Sequence, residues 1–274
     1  DTYIEKKLIK ILKEIKKGYN RIFFFAYCKI TYFFISLKFE KNLHLKISLL
    51  CPTKNRSKKF ERFLKSLINN TSNINNIELL LLFDDYEEEQ DYYIKLLVSS
   101  KIKINFKYFN MQLTSHAKRN NFLARYAIGD IILPINDDIV FKTYKWDFYL
   151  IKEFSKIDMS KPFCIWLSCD RKYKYLDYSA FPAINRKWYQ SLGYIAYEKF
   201  KFWYLDWWIC DISRRAKKYL VTNKVVIKQF HANTYKNEID QTHLINSNTE
   251  NLNYDKNVWL NTHQIRVEEA NKLI

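Results

Sequence analysis

Glycine and proline are scarce in this sequence. The 274 residues include four prolines and three glycines, which are Gly18, Gly129 and Gly193. A GxGxxG dinucleotide-binding loop or a P-loop needs glycines only a few residues apart, and these three lie far from one another. The sequence therefore argues against a Rossmann dinucleotide site and against a P-loop nucleoside triphosphatase.

Paired cysteines are also missing. The chain has five cysteines, none of which forms a CxxC pair: Cys28, Cys51, Cys164, Cys169 and Cys210. An odd number without short spacings indicates neither a disulfide framework nor a zinc site. The default interpretation is that the thiols are free and buried, in a reducing compartment.

Positive charge and aromatic residues, in contrast, are abundant. The formal net charge is +17, and aromatic residues make up 18% of the chain. Such a charge favours anionic partners such as nucleic acid, an anionic membrane or a phosphorylated small molecule. The other interpretation is a solvated lysine surface, because the whole chain is rich in lysine, isoleucine and asparagine.

The first 44 residues form a separate segment, because their apolar residues follow helical spacing and do not alternate between strand and helix patterns as the next hundred residues do. Thr2–Lys17 has an apolar stripe at helical spacing, filled out by lysines. Ile22–Leu37 is apolar and aromatic, contains Lys29, and is short for a membrane-spanning helix. Residues 1–40 could lie on an anionic membrane, or they could form a helix pair that packs on the main domain.

The next hundred residues alternate between strand and helix patterns, which predicts an α/β fold with a mostly parallel sheet. Polar loops or carboxylates follow at least three of the strands, including Asp84-Asp85 and Asn136-Asp137-Asp138. The predicted strands are Leu45–Leu50, Ile77–Phe83, Ile102–Phe109 and Ile131–Ile135, and the predicted helices are Lys58–Asn69, Tyr92–Val98 and Ala117–Ala127.

The stretch from His116 to Phe141 organises this half. Its helix is predicted to end at Gly129, and the apolar strand that follows is predicted to be buried on both faces. Asp137 and Asp138 come at the end of that strand, where open α/β sheets bind their ligands. Asn-Asp-Asp is also ordinary turn chemistry, so the pair could be merely a polar turn.

The second half has fewer regular signals. Trp146–Phe154 and Lys187–Leu192 are predicted as helices, Phe163–Ser168 and Val225–Phe230 as strands, and Val258–Leu273 as one C-terminal helix. His231 follows the last of these strands. Three tryptophans surround Asp206, in a segment that also contains Asp211.

The order of these motifs from Lys46 to His231 resembles the GT-A glycosyltransferases, most closely family 2. Ile47 to Arg56 looks like the opening strand and nucleotide loop, and Leu79 to Asp85 like the second strand. Lys118 to Asp138 looks like the Arg-Asn helix and the DxD strand, and Phe181 to Asp211 like the acceptor half. The resemblance implies a Rossmann-like sheet flanked by helices, preceded by an N-terminal helical segment and followed by a C-terminal helical tail.

The resemblance also implies a donor site. A nucleotide sugar, with a UDP-sugar favoured, would contact Pro52, Thr53, Asn55, Arg56, Asp84, Asp85, Arg119, Asn136 and Asp137. Asp138 and His231 would hold a divalent metal, Mn²⁺ or Mg²⁺. Such a hard cation binds carboxylate and phosphate oxygens together. A lone histidine could equally be a structural imidazole.

The sequence departs from the family pattern at Asn136, where an aspartate is usual, and at Tyr86, which follows Asp85 in place of glycine.

The acceptor half is implied to supply the catalytic base. Asp206 is the candidate, with Asp211 in reserve, and the family's Glu-Asp pair is Leu205-Asp206 here. Apolar surroundings raise the pKa of a carboxylate and suit it to general-base catalysis. Trp203, Trp207 and Asp211 are predicted to bind the acceptor. The alternative is that the tryptophans belong to the core and Asp206 caps a helix.

The resemblance thus implies an inverting, metal-dependent glycosyltransferase with a glycan or lipid-linked acceptor, acting in cell-surface polysaccharide synthesis. It would be cytoplasmic, at the inner face of the membrane if residues 1–40 bind there, and it would not bind nucleic acid. Its expected parts are residues 1–44 (helical), 45–140 (donor half), 141–235 (acceptor half) and 236–274 (tail). A basic nucleic-acid-binding protein and an inactive nucleotide-sugar-binding domain, suggested by Asn136, are the alternatives.

Overall fold

The computed structural model describes residues 44–99, 103–112, 115–169, 178–230, 235 and 238–274. The predicted N-terminal helical segment and the predicted membrane-binding stretch lie outside these ranges, apart from His44. Within the described part of the chain, none of the helices combines the length and the apolar character that crossing a bilayer requires.

An eight-stranded sheet carries the fold, in the order β3-β2-β1-β4-β7-β6-β8-β5. Its strands are β1 (Ile47–Pro52), β2 (Ile77–Phe83), β3 (Asn105–Asn110), β4 (Ile131–Pro134), β5 (Ile139–Phe141), β6 (Cys164–Cys169), β7 (Pro182–Asn185) and β8 (Tyr219–Gln229). Four residues join β4 to β5, yet three strands lie between them in the sheet. The sheet is therefore curled.

Helices flank the sheet along the described chain. They are α1 (Ser57–Asn70), α2 (Gln90–Val98), α3 (His116–Tyr126), α4 (Trp146–Phe154), α5 (Arg186–Leu192), α6 (Leu205–Arg215), α7 (Gln241–Asn246), α8 (Thr249–Asn261) and α9 (His263–Asn271). The predicted α/β class with a C-terminal helical tail is confirmed.

The first half of the sheet is parallel, as predicted. Strand β1 pairs in parallel with β2 and β4, and β2 pairs in parallel with β3. Every residue of β1, β2 and β4 is buried, which agrees with their continuous apolar runs. Because the strands are parallel, Asp84 after β2 and Asp138 after β4 come at the same edge of the sheet.

The second half of the sheet is mixed. Strand β7 runs antiparallel to both β4 and β6, β8 is parallel to β6, and β5 is antiparallel to β8. The sequence did not predict β5 or β7, which have three and four residues. Such short strands are too brief to show a periodicity, and β7 begins with a proline, which normally argues against a strand.

The core lies on both faces of the sheet. On one face α1 buries Phe60, Phe63, Leu64 and Leu67, the helical stripe expected from the sequence. On the other face, apolar residues of α3, α5, α6 and the C-terminal tail pack in one cluster with the sheet, including the fully buried Trp188 and Trp208. Helices thus cover both faces of the sheet, and the loops at the strand ends lie at the edge between these two layers.

The prediction of a single C-terminal helix over Val258–Leu273 is wrong, because this part of the tail forms two helices, α8 and α9. The break falls at Thr262, whose hydroxyl donates to the Val258 carbonyl at 2.7 Å. Arg266 Nη1 also donates to the Trp259 carbonyl, at 2.7 Å. Both side chains donate hydrogen bonds to backbone carbonyls at the C-terminal end of α8. They compete there with the backbone N–H groups that would continue the helix, as threonine side chains commonly do.

The predicted role of Gly129 as a helix end is also wrong. Helix α3 ends three residues earlier, with Ala127 already extended. Gly129 is needed for a close approach instead. Its backbone N–H donates to Ser48 Oγ at 2.8 Å, and a Cβ there would meet the Ser48 backbone nitrogen at 2.6 Å.

We therefore expect Gly129→Ala to destabilise the fold, because the added methyl group would collide with the β1 backbone. Forcing an extra carbon into a packed site costs about 1–3 kcal/mol in the free energy of unfolding. Chemical denaturation measures this loss, with Ile128→Ala as the matched control because Ile128 is exposed. Equal free energies of unfolding for the two variants would show that the β1 backbone can move away from the added methyl group without loss of stability.

Candidate active site

A cleft of about 930 Å³ opens at the carboxyl edge of the parallel strands. Loops after β1, β2 and β4 form one part of its wall, and the segment leading into α6 forms another. Most of the residues predicted for the site line it: Pro52, Thr53, Asn55, Arg56, Asp84, Arg119, Asn136, Asp137, Asp138, Trp203, Asp206 and Trp207. Residues far apart in the sequence are thus brought to one cavity.

Asp137 connects the β1 loop to the end of β4. Its Oδ2 accepts a hydrogen bond from Thr53 Oγ1 at 2.7 Å, and its Oδ1 accepts one from Arg56 Nη1 at 3.1 Å. The carboxylate is almost fully buried, so these charge-assisted bonds compensate for the loss of water. Both oxygens of Asp137 are occupied by the β1 loop, so Asp137 shapes this wall of the cleft.

Asp138 is the carboxylate of the pair with an open oxygen. Among the described residues it receives one side-chain hydrogen bond, from Gln229 Nε2 to Oδ1 at 3.3 Å. Burial, followed by the charge of Asp137, raises the pKa of Asp138 to about 6. A carboxylate under this repulsion is stabilised in its ionised form by a nearby cation.

Asp84 is held between two cations. Arg119 Nη2 donates to its Oδ1, and Lys54 Nζ lies 2.5 Å from its Oδ2. Asp85, predicted to approach the nucleotide, does not line the cleft, and it is exposed. The structure therefore corrects this prediction. Of the two carboxylates after β2, the first lines the cleft, whereas the second lies in the turn that follows and is exposed to solvent.

Asp240 is a cleft residue that the sequence did not indicate. Its Oδ1 accepts hydrogen bonds from Arg56 Nη2 at 2.9 Å and from the His243 backbone N–H at 2.7 Å. Lys59 Nζ donates to its Oδ2. Burial alone raises the pKa of Asp240, but the hydrogen bonds from Arg56 and Lys59 lower it to about 2. Arg56 therefore links Asp137 to the C-terminal tail.

His116 also lines the cleft and was not predicted as a site residue. Burial lowers its pKa to about 4, and the charges of Arg119 and Arg56 act in the same direction. The imidazole is therefore neutral near pH 7 and can donate one hydrogen bond and accept another. Nothing in the sequence indicated that His116 lies in the cleft, because a polar residue at the start of a helix is common whether or not it lines a site.

Asp206 lies in the first turn of α6, in a wall made largely of aromatic side chains. It is half-buried, and its Oδ1 accepts a hydrogen bond from the Trp207 backbone N–H at 3.0 Å. Trp207 is 41% exposed, and its ring centroid lies 4.6 Å from that of Tyr178. Trp203 is fixed by a hydrogen bond from its Nε1 to the Asn246 carbonyl at 2.9 Å. Asp206 therefore both lies in the first turn of α6 and lines the cleft.

Asp211, predicted as an acceptor contact and reserve base, is not among the residues that line the cleft. Its Oδ2 accepts hydrogen bonds from Arg215 Nε at 2.6 Å and Arg266 Nε at 2.8 Å. The Arg266 guanidinium also lies 3.7 Å from the Trp259 ring centroid. Five positions after Asp206, Asp211 is on another face of α6, where it anchors α9.

The predicted second metal ligand, His231, lies outside the described residues. Within the described ranges, no three His, Cys, Asp or Glu side chains come together as a ready-made metal site. A Mg²⁺-type site does not require three, because such ions are bound by one or two carboxylates with substrate phosphates and water. Asp138, with its open oxygen in the cleft, fits that pattern.

The sequence matches the family described as glycosyl transferase family 2 over residues 48–206, more than half of the chain. The fold and the cleft define a GT-A protein, and the chain belongs to glycosyl transferase family 2. No curated protein gives a significant match to the sequence.

Solved structures with the same fold include three glycosyltransferases of low sequence identity. Mannosyltransferase PcManGT from Pyrobaculum calidifontis, in complex with GDP-Man and Mn²⁺, has a TM-score of 0.55 at 13% identity, covering 68% of this chain and 56% of that one. S. aureus TarS 1-349 gives 0.54 at 14% identity, with 73% and 68% covered. GalNAc-T7 with UDP, GalNAc and Mn²⁺ gives 0.55 at 16% identity, with 68% and 43% covered.

We expect Asp211→Asn to lower stability without lowering the rate of the folded protein. The change leaves the buried Arg266 guanidinium without its anionic partner, which costs about 1–3 kcal/mol in the free energy of unfolding. Denaturation and the turnover rate per folded molecule are the two measurements. A loss of turnover with unchanged stability would return Asp211 to the active site.

Proposed function

We propose that this chain transfers a sugar from a UDP-sugar donor to a hydroxyl group of a glycan or lipid-linked acceptor. The observation that carries the proposal is one cleft lined by Asp137 and Asp138, in the turn after β4, and by Asp206, on α6. Similar structures hold GDP-Man, UDP-GlcNAc or UDP, which supports a nucleotide-sugar donor.

The donor would lie along the loops of the parallel strands. Thr53, Asn55 and Arg56 line that part of the cleft, together with Arg119. Arginine side chains match phosphate oxygens in charge and geometry, although Arg56 is already paired with carboxylates here. A diphosphate would therefore meet a site whose cations are oriented in advance by Asp84, Asp137 and Asp240.

Asp138 would hold a divalent metal, Mn²⁺ or Mg²⁺, against the donor diphosphate. When bound, such an ion stabilises the negative charge of the leaving nucleoside diphosphate. The support in this chain is the Asp138 carboxylate, which is buried beside a second negative charge and has one oxygen left open by the described residues. Mn²⁺ in two of the similar structures is consistent with this choice.

Asp206 would act as the general base in a single inverting displacement. The acceptor hydroxyl would lose its proton to the carboxylate as its oxygen attacks the anomeric carbon and the nucleoside diphosphate leaves. Asp206 suits this role because it lines the cleft on α6, whereas Asp211 is held by two arginines outside it. The aromatic rings of Tyr178 and Trp207 suit stacking against a sugar acceptor.

The setting we propose is cell-surface polysaccharide synthesis at the cytoplasmic face of a membrane. Its support is the basic, aromatic-rich sequence of residues 1–40, which suits electrostatic attraction to anionic lipids.

We expect Asp138→Asn to weaken donor binding only when a divalent metal is present. The variant loses the charge that would hold the cation, so the Mn²⁺-dependent affinity for the UDP-sugar should fall at least about tenfold, a loss seen even for groups that merely support metal ligands. Calorimetric titration with Mn²⁺ and with EDTA measures the effect.

The matched control for this titration is Asp91→Asn, an exposed acidic residue on α2 that does not line the cleft. A parent protein that binds the donor equally well in EDTA would contradict the metal assignment. Binding of GDP- or CDP-sugars in preference to UDP-sugars would reassign the nucleotide.

Asp206→Asn should leave donor affinity unchanged and lower turnover by roughly 10²–10⁴-fold, the usual contribution of a positioned general base. The amide keeps the shape of the side chain but cannot accept the proton. Steady-state rates, donor titrations and the anomeric configuration of the product test this assignment. Near-normal turnover would move the base elsewhere, and a product that retains the donor's configuration would rule out single displacement.

A further inference from the structure

One buried carboxylate of the C-terminal tail holds the loop that leads to Asp206. Asp255, on α8, is fully buried. Its Oδ1 accepts the backbone N–H of Lys201 at 2.7 Å, and its Oδ2 accepts those of Phe202 and Trp203, each at 2.9 Å. Three consecutive backbone donors thus converge on one side chain about fifty residues away.

The Asp255 carboxylate depends on these bonds. Among the described residues, Asp255 forms no ion pair, so its buried charge is compensated by hydrogen bonds from the loop. An ionised group is retained in the interior only when its oxygens are satisfied in this way. The carboxylate therefore fixes the backbone of this loop more firmly than a neutral acceptor would.

The loop needs such support because of its conformation. Tyr204, the next residue, has φ of 69° and lies in the left-handed region, which is unfavourable for a residue with a Cβ atom. Helix α6 begins directly after it, with Asp206 in its first turn. The loop is also held from the other side, because the Lys201 carbonyl accepts the His116 backbone N–H at 2.5 Å.

We infer that Asp255 is a positioning residue for catalysis, which sets the direction in which Asp206 and Trp203 face the cleft. The inference rests on the proposed function, in which Asp206 is the base. Asp255 lies in the C-terminal tail, beyond residue 206, where the match to the family ends. Small displacements of a catalytic group are costly, and about 1 Å can reduce a rate by roughly 10²-fold.

The test is Asp255→Asn. The amide retains one acceptor oxygen but turns an NH₂ group toward backbone N–H donors, so at least one bond is replaced by a repulsive contact. We expect turnover to fall by roughly 10–100-fold, while the affinity for the UDP-sugar stays within about twofold because the donor loops are untouched. Rates and calorimetric donor titrations separate the two quantities.

Asp147→Asn is the matched control. Asp147, on α4, is also buried, and it accepts the backbone N–H groups of Ser72 and Asn73 at 2.7 and 2.9 Å. None of these residues lines the cleft. The control variant should lose stability without losing turnover per folded molecule. Equal losses of turnover in the two variants would reduce Asp255 to a general structural role.

A double variant decides whether Asp255 acts through Asp206. In the Asp206→Asn background, adding Asp255→Asn should lower the residual rate by less than about threefold, because the base whose position it controls is already gone. Two independent, multiplying losses would overturn the inference. Absence of donor binding in the parent protein, in contrast, would overturn the proposed function itself, and the two failures are therefore distinguishable.

Discussion

The hydrogen bonds that Thr53 and Arg56 make to Asp137 are the interaction on which the site depends. They join two loops that are more than eighty residues apart and that meet because β1 and β4 are parallel neighbours. Arg56 carries the connection onward to Asp240 and so to the tail. One guanidinium thus joins the loop after β1 to both the turn after β4 and the C-terminal tail.

The wall of the cleft is divided by chemistry. Ion pairs concentrate on the loops of the parallel strands, where Asp84 and Asp137 are each held by cationic side chains. The segment from Phe202 to Trp207 contributes aromatic surface and one carboxylate. A charged diphosphate and a neutral sugar ring make opposite demands on solvation. In the proposed function, the loops of the parallel strands would meet the first demand and α6 the second.

The sequence predicted the features that arise locally. The buried strands Ile77–Phe83 and β4 follow from apolar runs, and the apolar stripe of α1 follows from helical spacing. Features that depend on distant partners had no such signal. Asp240 is recognised only through Arg56, 184 residues away. Gly129 was misread as a helix end because its true constraint, the backbone of β1, is invisible along the chain.

The short connection between β4 and β5 has a consequence for the order of folding. The strand β5 pairs with β8, whereas β4 pairs with β1 and β7. The far end of the turn that carries Asp137 and Asp138 therefore gains its partner in the sheet only after Gln229, at the end of β8, has joined the sheet. Contacts of such sequence separation form late. During synthesis the donor cleft would take shape only once most of the chain has left the ribosome, so binding competence would mark completed folding.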